Sequence, residues 1–316
     1  RALAAKLKAD KIAIPEAVFT KKDTKVTVAN IVAANIVEGK VGRAGFAGID
    51  GTIKPDDGDA VTIKSGPLAL DGSDLSALLT MNAGSASFSR FSWEGLAITA
   101  PDKDTPKTAA GGNLYAINLG ALAVDATFDG GVMLKGAVSL KGLSIQPPSA
   151  SQAGQQLAAA GYGKLDLALN YVGVYDPAAK TYSLDDFTIN GVNAGSLQLK
   201  SRFGALDKAA FSGSSAERMG ALLQGNISAV ELVYADAGLA EKLIVLFARQ
   251  QQKAPDALRA ETAAMAKQII PALIGGAPNA SAIADAVSSF VATPTTLTVT
   301  MPPKTRPSGV TGTMSP

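Results

Sequence analysis

The sequence predicts an α+β fold: a large antiparallel β-sheet body of successive hairpins, arranged as a meander and covered by a C-terminal group of amphipathic helices. Apolar and polar residues alternate with a period of two as far as about residue 212. From about residue 214 the apolar residues recur with the period of helices. We therefore divide the chain into a β-rich body at 1–212, a helical segment at 213–301 that packs on the sheet and includes a returning C-terminal strand, and a Pro-rich tail at 302–316.

The stretch 161–204 shows the alternation most clearly. One face of its first strand carries Leu165, Leu167, Leu169 and Tyr171. The residues from Asp176 to Lys180 are typical of a turn, and Gly191 and Gly195 bound a second turn. These signals predict a three-stranded antiparallel meander.

Two other segments are apolar at almost every position, namely 26–37 and 116–124. In the second segment, a regular strand places Ile117 and Leu119 on one face and Leu122 and Val124 on the other. Strands that are apolar on both faces need a second layer of structure over them. We expect the C-terminal helices to provide that layer.

Three apolar stripes predict three consecutive helices after residue 238. The stripes consist of Leu239, Leu243, Leu246 and Phe247, then Leu258, Met265, Ile269 and Leu273, then Ile283, Val287, Phe290 and Val291. The segment 295–301 alternates again and predicts the returning strand. The residues expected to be buried together against the sheet are Leu243, Phe247, Ile269, Leu273, Val287 and Phe290.

The composition limits the chemistry available to the protein. The 316-residue chain contains neither Cys nor His, which excludes Ser-His-Asp and Cys-His arrangements and the ligands that transition metals prefer. The net charge of +2 is too small for extensive contact with phosphates, so we expect no nucleic-acid partner. No pair of carboxylates stands out. We therefore predict a non-enzymatic protein without catalytic residues, metal site or cofactor.

The apolar strands favour a binding role. A sheet whose helices cover only one side leaves an apolar groove that suits an acyl chain or a polycyclic lipid. The residues predicted to line it are Ile117, Leu119, Leu122, Val124, Leu165, Leu167, Leu169 and Tyr171. In this succession of apolar strands the chain resembles β-rich envelope lipid-transfer proteins such as the AsmA-like group. No shared motif carries the resemblance, and no residue's role is transferred from it.

We therefore expect a binding or carrier protein for an apolar, lipid-like ligand in the cell envelope. The chain begins without Met, which suits a mature periplasmic or otherwise exported protein. The first 25 residues hold seven Lys or Arg against three Asp or Glu. This basic terminus either contacts anionic lipid headgroups or is an ordinary solvated terminus.

Two other functions stay open at this stage. The first is a structural or assembly subunit of a larger complex, in which a protein partner or a second copy of the chain orders the tail at 302–316. The second is a hydrolase that uses carboxylates alone.

Overall fold

The structure is a computed structural model, and it describes residues 7–38, 40–56, 58–74, 88–108, 112–212, 214–273 and 279–301. It confirms the predicted fold class: a large antiparallel sheet of 14 strands with helices mostly in the C-terminal part, 54% strand and 24% helix. The first strands are β1 (Lys8–Lys21), β2 (Thr24–Val37), β3 (Lys40–Phe46), β4 (Gly48–Ile53), β5 (Val61–Ser65), β6 (Leu68–Asp74) and β7 (Arg90–Pro101). The others are β8 (Leu114–Asp129), β9 (Val132–Gln146), β10 (Leu165–Asp176), β11 (Thr181–Gly191), β12 (Gly195–Gly204), β13 (Asn226–Asp236) and β14 (Thr296–Met301).

The sheet is a meander that follows chain order from one edge to the other. Strands β3 and β4 lie end to end along β2, and β5 and β6 lie end to end along β7. From β7 to β14 each strand pairs antiparallel with its neighbours in the sequence. The predicted hairpins of 165–204 are β10, β11 and β12, and Asp176 fixes the first turn by accepting hydrogen bonds from the Ala178 and Ala179 amides at 2.9 and 3.0 Å.

A row of backbone irregularities crosses the sheet from β2 to β9. Asn30, Gly95 and Gly142 have positive φ angles of 50°, 64° and 63° inside their strands. From β7 to β9, each strand stays in register with its neighbour across these positions. The register shifts between β9 and β10, at Leu167 and Leu169 of β10. The strands before β10 therefore share one extra residue at the same level, which is the geometry of aligned β-bulges.

The bulges give the sheet a single apolar face. Residues paired in antiparallel strands point to the same face. Ile117 therefore shares a face with Leu165 through Ile145 of β9, and Val124 shares a face with Tyr171 through Val138. Because β10 alternates without interruption from Leu165 to Tyr171, these two residues lie on one face. The prediction that Leu122 and Val124 face away from Ile117 and Leu119 was wrong, since the extra residue in β8 reverses the alternation.

Polar residues occupy the opposite face of these strands. In β7–β10, apart from strand ends, its charged residues are Glu94, Asp125, Lys135, Lys141 and Asp166. The expectation that the segment 116–124 is apolar on both faces, and needs a second layer for that reason, is thereby corrected. The sheet has one face that water solvates well and one that it does not.

Five helices lie within the described residues: α1 (Gln152–Ala159), α2 (Ser215–Gln224), α3 (Leu239–Gln250), α4 (Pro255–Leu273) and α5 (Ala280–Ala292). The last three match the predicted stripes, and β14 is the returning strand. Within 213–301 the structure adds a strand that the sequence reading missed, β13. Helix α1 interrupts the β-rich body.

Helices α4 and α5 form an antiparallel hairpin. Lys267 pairs with Asp285 at 3.1 Å, and the Arg259 guanidinium donates to the Val291 carbonyl at 3.3 Å. The hairpin reaches the apolar face of the sheet through α5, where the Phe290 ring lies 5.6 Å from the ring of Tyr234.

The prediction of a common buried helical core was wrong for most of its residues. The side chains of Leu243, Phe247, Ile269 and Leu273 are 37%, 46%, 45% and 76% exposed. Val287 and Phe290 of α5 are half-buried. The physical reason is that these α3 and α4 side chains extend past the packing between the helices and leave an apolar helical surface in contact with solvent.

A compact core closes the opposite end of the apolar face. It contains Val132, Tyr175, Leu206 and Ala210, and the Tyr175 hydroxyl donates to the Leu206 carbonyl at 3.0 Å. The Phe211 ring lies 4.3 Å from that of Tyr175. The segment after β12 thus covers one end of the sheet, and α5 covers part of the other.

Candidate apolar binding face

The structure brings all the predicted groove residues together in one patch. Strand β9 lies between β8 and β10 and completes it with side chains that the prediction did not include. We call this set the central patch: Ile117, Leu119, Leu122, Val124, Val138, Leu140, Leu143, Ile145, Leu165, Leu167, Leu169 and Tyr171. The alternation in the sequence "AVSLKGLSIQ" was a usable signal for the β9 members.

The central patch is an open surface. Only Leu119 is buried, at 7% exposure, and the other members are half-buried. A pocket of about 470 Å³ includes Leu167, but Asp166 and Ala168 also line it, so it lies largely on the opposite face of the sheet. The predicted groove is therefore better described as an apolar face whose side chains keep part of their area in water.

Two tyrosines place a polar group at one end of the central patch. The hydroxyls of Tyr171 and Tyr182 lie 2.7 Å apart, above Gly173, where a Cβ atom would meet both. Burial raises the pKa of Tyr182 well above its usual value, and the hydrogen bond to Tyr171 raises it further. One hydroxyl hydrogen joins the pair, so the second is available to a further acceptor.

The only tryptophan of the sequence, Trp93, lies on the same apolar face. It pairs across the strands with Leu68 on one side and Leu122 on the other. Its indole nitrogen donates to the Ser65 hydroxyl at 3.0 Å, which fixes the ring at the edge of the central patch. Trp93 therefore provides an optical probe of that surface.

The arrangement supports binding by burial of apolar area. Among the described residues, no group of three or more Asp or Glu side chains is placed to hold a metal ion. The Asp166 carboxylate lies on the opposite face, where hydrogen bonds from Lys164 and Ser144 lower its pKa. The central patch offers hydrocarbon surface together with one phenol pair.

Other sequence predictions fall elsewhere. The tail at 302–316 and residues 1–6 lie outside the described residues. In the described part of the chain, no helix has the length and apolar character needed to cross a bilayer.

Comparison with known proteins gives one partial match. Residues 188–313, less than half of the chain, match a family model described as "Uncharacterized protein". The match begins within β11 and includes α3, α4 and α5. No curated protein and no solved structure matches the chain.

Proposed function

We propose that the protein is a non-enzymatic binding or carrier protein whose central patch takes up an apolar, lipid-like ligand. The observation that carries the proposal is that a row of bulges keeps the apolar residues of β8, β9 and β10 on one uncharged face. A soluble protein rarely leaves so large an apolar surface in water. Each methylene that a ligand buries there contributes roughly 0.8 kcal/mol.

The phenol pair suits a ligand with one polar end. The free hydroxyl hydrogen of Tyr171 and Tyr182 donates to a carboxylate or hydroxyl oxygen, while the hydrocarbon lies over Leu140 and Leu169. A fatty acid has this combination of groups, so it is the probe of choice.

Trp93 makes the experiment direct. A fatty acid brominated along its chain should quench the fluorescence of Trp93 when it binds to the full-length protein. Leu169→Gln places an amide in the patch and should raise the Kd about tenfold, which corresponds to about 1.4 kcal/mol. Ala168→Gln is the matched control, because Ala168 immediately precedes Leu169 in β10 and lies on the opposite face.

The outcomes separate clearly. Saturable quenching that Leu169→Gln weakens and Ala168→Gln leaves unchanged supports the proposal. Absence of quenching, or an equal effect of both variants, overturns it.

A structural or assembly role is the second candidate, and edge strand β1 favours it. Ile12, Ile14, Val18 and Phe19 are 42%, 45%, 47% and 61% exposed on this edge. An apolar edge strand is a ready surface for pairing with another chain. Native mass spectrometry of the purified protein separates the two: a defined oligomer without lipid mass favours assembly, and added lipid mass favours binding.

The location in the cell envelope and the lack of catalytic activity stay predictions. The proposal of ligand binding depends on the central patch and not on the compartment in which the protein lies.

A further inference from the structure

The C-terminal half of α4 presents an apolar stripe to solvent. Met265, Ile269 and Leu273 recur every four residues and are 47%, 45% and 76% exposed. Earlier in the same helix, Leu258 and Ala263 are 6% and 9% exposed. Leu258 near the start of α4 is thus packed, whereas Met265, Ile269 and Leu273 toward its end are exposed.

The sequence around the end of α4 is uncharged. From Gln268 to Ala284 the sequence contains no Asp, Glu, Lys or Arg. Lys267 and Asp285 bound this run on α4 and α5 and pair with each other at 3.1 Å. Among the described residues, 268–273 of α4 and 279–284 at the start of α5 are therefore all uncharged.

Two further ion pairs lie in the helical layer. Arg259 pairs with Glu241 across α4 and α3, and Lys253 pairs with Glu261 at 2.5 Å. Lys267 is the only charged residue between Met265 and Leu273, and Asp285 compensates its charge. A charged protein partner gains little from this ion pair, whereas a hydrocarbon phase needs no polar contact.

We propose that Met265, Ile269 and Leu273, at the end of the α4–α5 hairpin, insert into the surface of a lipid bilayer. The exposed fraction of the apolar side chains increases toward the end of α4. This increase fits insertion of that end of the helix into the membrane, with the Lys267–Asp285 pair at the headgroup level. Three aliphatic side chains bury far less than the roughly 800 Å² per partner that a stable protein interface takes. This inference does not depend on ligand binding by the central patch.

This membrane contact differs from the one expected at the basic N-terminus. Lysines such as Lys8 and Lys11 attract anionic headgroups, and salt screens that attraction. Insertion of uncharged aliphatic side chains requires neither anionic lipid nor low salt.

The test is cosedimentation of the full chain with vesicles of phosphatidylcholine, at about 0.1 M and about 1 M NaCl, conditions between which the Debye length falls from about 10 to 3 Å. We expect binding at both salt concentrations. Ile269→Asp and Leu273→Asp should each reduce the bound fraction about tenfold, because a carboxylate is costly in hydrocarbon. Ala257→Asp is the control, since Ala257 is an exposed residue at the other end of α4.

Three results overturn the inference. The first is no binding to phosphatidylcholine vesicles. The second is binding that requires both added phosphatidylglycerol and low salt. The third is a dimer that forms without vesicles and that Leu273→Asp dissociates. Circular dichroism confirms that the variants fold. Trp93 quenching by brominated fatty acid without vesicles should be unchanged in Ile269→Asp and Leu273→Asp, so failure of either proposal is distinguishable from failure of the other.

Discussion

At the residue scale, Asp236 fixes the transition from the sheet to the helices. Its carboxylate accepts hydrogen bonds from the Gly238 amide at 2.8 Å, the Ala240 amide at 3.0 Å and the Tyr234 hydroxyl at 2.9 Å. Two of these donors are amides at the start of α3, which have no partner within the helix. One side chain therefore caps α3 and anchors it to β13.

Asp236→Asn should lower the free energy of unfolding by about 1 kcal/mol, the usual cost of a lost helix cap. The amide oxygen of Asn replaces only one of the two carboxylate oxygens. Urea unfolding at pH 7 measures the change. Glu231→Gln is a suitable control, because Glu231 is an exposed residue of the same strand. An Asp236→Asn variant as stable as the parent would contradict the capping role.

The Asp236 cap also predicts a dependence on pH. Burial raises the pKa of its carboxyl, but the hydrogen bonds from Ala240, Gly238 and Tyr234 outweigh that effect, and the net pKa is lowered. A lowered pKa in the folded state stabilises the fold above the unfolded pKa of about 3.9. The stability difference between the parent and Asp236→Asn should therefore be full at pH 7 and disappear as the pH falls through the folded pKa.

At the element scale, the aligned bulges decide which side chains share a face. Gly142 is the clearest case, because its φ of +63° is a conformation that residues with a Cβ atom rarely adopt. Without this extra residue in β9, Leu143 and Ile145 would lie on the polar face while Leu140 stayed on the apolar one. The bulge thus keeps the central patch continuous.

Gly142→Ala should lower the free energy of unfolding by about 1 kcal/mol, the cost of a left-handed conformation for alanine. Gly142→Asn should cost less, because Asn tolerates this region. Denaturant unfolding checks both. Gly163→Ala is the control, since a Cβ atom there meets open space and the φ angle is not positive. Equal stability of Gly142→Ala and Gly163→Ala would argue against a conformational requirement for glycine at the bulge.

At the scale of the whole molecule, a meander in chain order has two open edges and an interior. Strand β1 pairs only with β2, and all its residues except Ala9 and Ala17 are exposed. Strands β8 and β9 have paired strands on both sides. Stability should therefore decrease from the interior to the β1 edge.

Amide hydrogen exchange under native conditions tests this gradient. Hydrogen-bonded amides of β1 should exchange through local opening at a free energy well below that of global unfolding, whereas those of β8 and β9 should approach the global value. Peptide fragments from β1 and from β8 and β9 allow the exchange rates of the two regions to be compared within one sample. Equal protection in β1 and β8 would show instead that the sheet unfolds as one unit.

The sequence was most informative where a strand or helix has an uninterrupted period. Leu165 to Tyr171 alternate without a bulge, and the strand, its turn at Asp176 and its partner strand were predicted correctly. Strand β13 was missed although Val230, Leu232 and Tyr234 alternate, because helical stripes lie close by in the sequence. Prediction of the groove as a ligand site rests on the same alternation and awaits the binding experiment.

The sequence by itself determined the α+β class, the succession of hairpins and the positions of α3, α4 and α5, because these depend on periods within short segments. It also excluded chemistry that requires Cys or His. Only the tertiary structure decided that Ile117 and Leu122 share a face and that Leu273 is exposed. Those facts depend on bulges aligned across strands distant in the sequence and on the direction in which helices pack, and neither is encoded in the period of any single segment.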